Sequence, residues 1–97
     1  MASGDGGRIL GLTPEESAYV ELKVALGSKL RELRSRKRLS QVELAKRIGS
    51  SQSRVAKIEA ADPSVSLDLL VRSMIALGAT RKDLARVIAS PARRAAA

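Results

Sequence analysis

Five times along the chain a hydroxyl side chain stands just ahead of a stretch with helical spacing, and these five starts constrain the fold more than any other feature. Thr13-Pro14-Glu15-Glu16 combines a Thr cap, Pro at the first helical position and Glu three residues after the cap. Ser40 with Glu43 forms a second capping box, Ser51 starts a third helix, Ser66 with Asp68 a fourth, and Thr80 with Asp83 a fifth. The stops are equally legible. The first helix is expected to run to about Arg38, with Gly27 as a weak point inside it. The second ends at Ile48 before the left-handed stop Gly49, and the third runs to about Ala60. Ala61-Asp62-Pro63-Ser64 reads as a loop, because Pro63 disfavours helix in the residue before it. Gly78 closes the fourth helix, and the fifth stops short of Pro91. No stretch alternates apolar and polar residues as a half-buried strand would, and no segment repeats. The expected fold is all-α.

The apolar residues supply one small core. Tyr19, Leu22, Leu26, Leu30 and Leu33 keep spacings of three and four and form one stripe. Leu44, Ala45, Ile48, Val55 and Ile58 come from the two short helices, and Leu67, Leu70, Val71, Met74 and Leu77 from the fourth. Leu84, Val87 and Ile88 are expected to close the bundle. The organisation is then a glycine-rich arm at 1–12, one domain at 13–90 and a frayed tail at 91–97.

The chain of 97 residues carries a net charge of +8, and the excess is concentrated. Between Lys29 and Lys57 ten basic residues face only Glu32 and Glu43. One-sign clustering is an electrostatic footprint for a polyanion, whereas a solvated face usually mixes its signs. Tyr19 is the only aromatic residue and lies outside this segment. Single-strand and RNA modules commonly stack bases on aromatic rings, so duplex DNA is the better match. The absence of His and Cys removes Ser-His-Asp and Cys-His catalysis, the usual zinc sites and disulfides. The Gly4-Asp5-Gly6-Gly7 cluster follows no strand and so lacks the context of a phosphate-binding loop. No enzyme activity, metal or other cofactor is expected. Met1–Gly7 does not read as a secretion signal and no apolar run is long enough to span a membrane, which points to a cytoplasmic, nucleoid-bound protein.

Residues 40–60 meet the physical needs of a helix-turn-helix. Two short helices that cross closely need a small residue at the crossing, supplied by Ala45, and a left-handed residue in the turn, supplied by Gly49. Val55 and Ile58 pin one face of the second helix and leave Gln52, Ser53, Arg54 and Lys57 outward, toward base edges and phosphates. The phrases Leu39-Ser40-Gln41, Glu43-Leu44-Ala45, Arg47-Ile48-Gly49, Ser51-Gln52-Ser53 and Lys57-Ile58-Glu59, with Ser66-Leu67 and Leu77-Gly78, resemble the Cro/C1-type (XRE) helix-turn-helix family over about residues 29–88. The resemblance implies a five-helix, lambda-repressor-like DNA-binding domain, here with an N-terminally extended first helix. It implies that Gln52 pairs with adenine, that Ser53 touches a neighbouring base, and that Arg54 and Lys57 reach guanine or phosphate. It also assigns Gln41 a phosphate contact and a brace on Gln52, with Arg38, Lys46 and Ser51 as further phosphate contacts. The plainer alternatives are that Gln41 only starts its helix and that Arg54 and Lys57 are solvated. Glu59 reads as structural, paired with a nearby Arg. Ala60-Ala61 departs from a pattern that often places Gly at the exit of the recognition helix.

Residues 14–28 extend the first helix beyond what the family needs. Val20 and Val24 fall nearly opposite Leu22 and Leu26, so the extension is apolar on two sides. Either Ile9, Leu10 and Leu12 fold back over the valines, or the two valines are simply exposed, or they form a dimer or partner-protein surface. The run 49–59 followed by Ser64-Val65-Ser66-Leu67-Asp68-Leu69-Leu70 resembles HigA-type antitoxins, which implies an operon autorepressor that also neutralises an RNA-cleaving toxin. A solitary repressor without a toxin is the alternative. One recognition helix reads too few base pairs for specificity, so a homodimer on an inverted-repeat operator is expected. Its surface is sought on Leu84, Val87 and Ile88, with Val20 and Val24 for a toxin or further self-contact.

Overall fold

Each helix begins where a side chain can replace missing backbone partners. The computed structural model describes residues 12–89, and their regular structure is entirely helical: α1 (Pro14–Arg36), α2 (Gln41–Arg47), α3 (Gln52–Glu59), α4 (Leu67–Ala76) and α5 (Arg81–Ala89). Most of the expected arm, including Ile9 and Leu10, and all of the expected tail lie outside the described residues. At α1 the Thr13 hydroxyl accepts from the Glu16 N–H at 3.1 Å, and the Glu16 carboxylate accepts from the Thr13 N–H at 2.8 Å. The same reciprocal box opens α2 with Ser40 and Glu43 and opens α5 with Thr80 and Asp83. Ser51 and Ser66 cap α3 and α4 with single bonds to the N–H groups of Arg54 and Leu69. Each such cap stabilises its helix by about 1 kcal/mol.

Four helices end in one motif. After α1, α2, α3 and α4 the next-but-one residue turns left-handed: Arg38 at φ 57°, Gly49 at 65°, Ala61 at 55° and Gly78 at 90°. In each case two N–H groups bond back to orphan carbonyls, as in Ser50 to Ala45 at 2.8 Å and Asp62 to Lys57 at 3.0 Å. The first helix therefore stops at Arg36, two residues earlier than expected, because Arg38 is the left-handed residue itself. The exit of α3 keeps the motif without a glycine, Ala61 taking the strained conformation.

Gly27 is not a break. Helix α1 runs straight through it, and a Cβ there would sit 2.7 Å from the backbone oxygen of Glu59. Glycine at this position lets α1 and α3 approach to backbone contact. Leu26 and Leu30 of α1, Leu44 and Ala45 of α2, Val55 and Ile58 of α3, Leu70, Met74 and Leu77 around α4, and Val87 of α5 form the buried core. Val65, from the loop before α4, joins them, as does the Ser73 side chain, whose hydroxyl donates to the Leu69 carbonyl at 2.8 Å.

Two core expectations are corrected. Tyr19 continues the α1 stripe in sequence, but the helix outruns the body there and leaves the ring 44% exposed, with the Lys23 ammonium 5.4 Å from its centre. Ile88 is 56% exposed rather than closing the bundle, because only Val87 of α5 turns fully inward and Leu84 is half-buried. Among the described residues no helix is long and apolar enough to cross a membrane.

Candidate nucleic-acid interface

Helices α2 and α3 pack directly against each other across the Gly49 turn, and both rest on the core through Leu44, Ala45, Val55 and Ile58. That leaves two adjoining outer faces on α3. At 100° per residue, Gln52, Ala56 and Glu59 share one face, while Ser53, Arg54 and Lys57 share the next. All of Gln52, Ser53, Arg54 and Lys57 are exposed. Ser51, Ser53, Arg54 and Lys57 line a shallow groove whose far wall is Ser64 and Val65 of the loop before α4. Ser64 was missed in the sequence because it reaches the groove only through the Asp62 turn, where Asp62 accepts from the Ser64 N–H at 2.9 Å. The Ser64 hydroxyl and N–H also hold the Asp62 carboxyl below its ordinary pKa.

The first face carries a continuous polar chain. Arg34, from the last turns of α1, pairs with both oxygens of Glu59 and donates to the Leu39 carbonyl at 2.9 Å. Glu59 Oε1 also accepts from the Gln41 side-chain amide at 3.1 Å. Gln41 Oε1 in turn accepts from the Gln52 amide. The ion pair at the root of this chain is enclosed, with Arg34 and Glu59 side chains 14% and 5% exposed. Its hydrogen bond to Glu59 raises the Arg34 pKa further above its ordinary value. Removing one partner of this largely enclosed pair leaves a poorly compensated charge and destabilises the fold. Glu59 therefore pairs with an arginine as expected. The Glu59–Gln41 bond that lies beneath the Gln41 brace on Gln52 had no local signal, since the two residues stand 18 positions apart.

The other basic residues divide in two. Lys29 and Arg36 pair with Glu32 on α1, at 3.6 and 2.8 Å. Arg31, Lys37, Arg38, Lys46, Arg47, Arg54 and Lys57 form no salt bridge among the described residues, and all are exposed. Arg38 stands in the turn between α1 and α2, on the approach to Gln41. Lys46 lies five residues beyond Gln41 on α2, about 140° round the helix, so the two do not share a face. The Ser51 oxygen caps α3 through the Arg54 N–H, and its hydroxyl also lies 3.4 Å from that of Ser53. Of the residues sought as a partner surface, Val20 and Val24 are 41% and 44% exposed, whereas Val87 belongs to the core and is a surface residue no longer. Among the described residues no acidic cluster could hold a metal ion.

A model of the helix-turn-helix domain family matches residues 25–87, about two thirds of the chain. No match was found among the curated proteins or among the solved structures. The matched span runs from the middle of α1 to Val87, so it takes in the whole core and leaves out the first half of α1, where Val20 and Val24 stand. A crossed helix pair with a left-handed turn, an outward polar face on its second helix and the family match together place the chain in the helix-turn-helix domain family of DNA-binding proteins.

Proposed function

We propose that the chain is a sequence-specific transcriptional regulator that binds duplex DNA as a symmetric dimer and represses its own operon. The polar chain that ends on Gln52 supports this most strongly. A helix that bound phosphates alone would need cations, not an amide braced from two turns away. In this reading α3 enters the major groove, Gln52 and Ser53 meet base edges, and Arg54 and Lys57 meet guanine or phosphate. Gln41, Arg38, Lys46 and Ser51 neutralise or bond phosphates and set the register.

The finer role is that of an antitoxin whose toxin docks on the extended first half of α1. Its support is the likeness to HigA-type antitoxins and the exposed Tyr19, Val20 and Val24, on a stretch the fold does not bury. The dimer contact is assigned to α5 around Ile88, the large apolar residue of that helix left exposed. Binding of the full chain to the duplex upstream of its own gene, against a scrambled duplex at the same salt, tests the regulator. Preference for the upstream duplex by tenfold or more is expected, and equal affinity would overturn it. Co-expression with the product of the adjacent gene tests the antitoxin: a stable complex lost in Val24→Glu is expected, and no complex leaves a solitary repressor.

A further inference from the structure

The polar chain has a direction, and the direction starts at Glu59. A carboxylate only accepts hydrogen bonds. Glu59 Oε1 therefore obliges Gln41 to turn its NH2 inward, 3.1 Å away, which leaves the Gln41 oxygen facing Gln52. That oxygen in turn obliges Gln52 to offer its own NH2. Gln52 is left with one free N–H and an unused carbonyl oxygen, pointing away from the protein. One donor beside one acceptor is the complement of adenine N7 and N6 in the major groove, and not of guanine, which presents two acceptors.

We propose that Glu59, held by Arg34, is a specificity-determining positioning residue: by fixing the polarity of Gln41 and then of Gln52, it makes Gln52 select adenine over guanine without touching DNA. The inference rests on the reading that Gln52 meets a base edge. It predicts an uncommon consequence for a nearly isosteric change. In Glu59→Gln both amide positions face Arg34, which only donates, and the oxygen keeps the shorter Arg34 Nε bond at the Oε2 place while the second Arg34 bond is given up. The NH2 then takes the Oε1 place beside Gln41, Gln41 turns over, and Gln52 presents two N–H donors to the groove. That pattern suits guanine O6 and N7.

The test is competition binding of the full chain to operator duplexes carrying adenine or guanine at the position that Gln52 governs. That position is the one whose preference disappears in Gln52→Ala. Four chains are compared: wild type, Gln52→Ala, Glu59→Gln and Gln41→Met, each checked by circular dichroism for the folded state. Gln41→Met leaves the Arg34–Glu59 pair intact and simply cuts the chain, so it reports even if Glu59→Gln folds poorly. Wild type is expected to favour adenine by about tenfold or more, as good bidentate pairs do. Gln41→Met should bring the ratio toward one, and Glu59→Gln should bring it to one or invert it. A purely structural role for Glu59 would weaken both duplexes alike and leave the ratio unchanged. An unchanged ratio in folded Gln41→Met and Glu59→Gln, with the preference lost in Gln52→Ala, overturns the polarity inference alone. No position losing preference in Gln52→Ala overturns the base-contact reading beneath it.

Discussion

At the scale of single residues, three positions carry more than their local pattern suggests. Gln52 is held from behind by Gln41, so its amide is ordered before DNA arrives, and less side-chain entropy is lost on binding. Gln52→Ala should cost about 1–3 kcal/mol on the preferred duplex and much less on an unrelated one, measured by equilibrium titration. Ala61 ends α3 with φ 55°, a conformation that costs a residue with a Cβ about 1–2 kcal/mol. Ala61→Gly relieves that strain but loosens the unfolded chain, so stability should rise by up to about 1 kcal/mol. A denaturation midpoint that falls would show that the Ala61 methyl makes contacts worth more than the strain. Gly27 works the opposite way. Its replacement by Ala improves helix propensity by about 1 kcal/mol but drives a methyl against the Glu59 carbonyl at 2.7 Å. Overpacking of this kind costs about 1–3 kcal/mol, and the net effect should be a lower midpoint.

Helices and turns were the most legible scale of the sequence, and the reason is physical. Caps act over three or four residues, so Thr13 with Glu16, Ser40 with Glu43, and Thr80 with Asp83 announce their helices without tertiary help. Gly49 and Gly78 announce their stops for the same reason. Arg38 and Ala61 make the same stops silently, because nothing in their side chains favours a left-handed backbone and only the fold requires it. The outward residues of α3 followed from periodicity, with Val55 and Ile58 inward. The Arg34–Glu59–Gln41 chain did not, since it joins three helices across long separations, and neither did the depth of Gly27 against α3. The local boxes also have a pH signature. Bonds from the Ser40 and Thr80 N–H groups and hydroxyls lower the pKa values of Glu43 and Asp83 in the folded state. Their contribution to stability is therefore complete above the unfolded carboxylate range, at about pH 4, and is lost as the pH falls through the lower folded values. Denaturation midpoints of Glu43→Gln with Asp83→Asn should fall less between pH 5 and pH 3, roughly that acid window, than those of wild type. Parallel losses would place the acid sensitivity elsewhere.

For the whole molecule, charge and symmetry matter most. The unpaired cations around α2, α3 and the turn before them should release counterions on binding duplex DNA. With about four to six phosphates neutralised per subunit, log affinity against log salt should slope at about −4 to −5 per subunit. A slope near zero would leave the basic cluster without its partner. Assembly is tested by sedimentation on and off DNA. Val87 is too deeply placed for a clean interface variant, so Ile88→Glu is the informative change. It should weaken the DNA-bound dimer, whereas Val24→Glu should leave it intact. The most direct measurement of the central claim, that α3 reads base sequence through Gln52, is selection from a randomised duplex pool by the full chain beside its Gln52→Ala variant. Wild type should enrich an inverted repeat with half-sites about 34 Å apart, centre to centre, and the variant should lose one symmetric pair of positions while keeping the rest. Enrichment of the same motif by both chains, or of no motif by wild type, would contradict it.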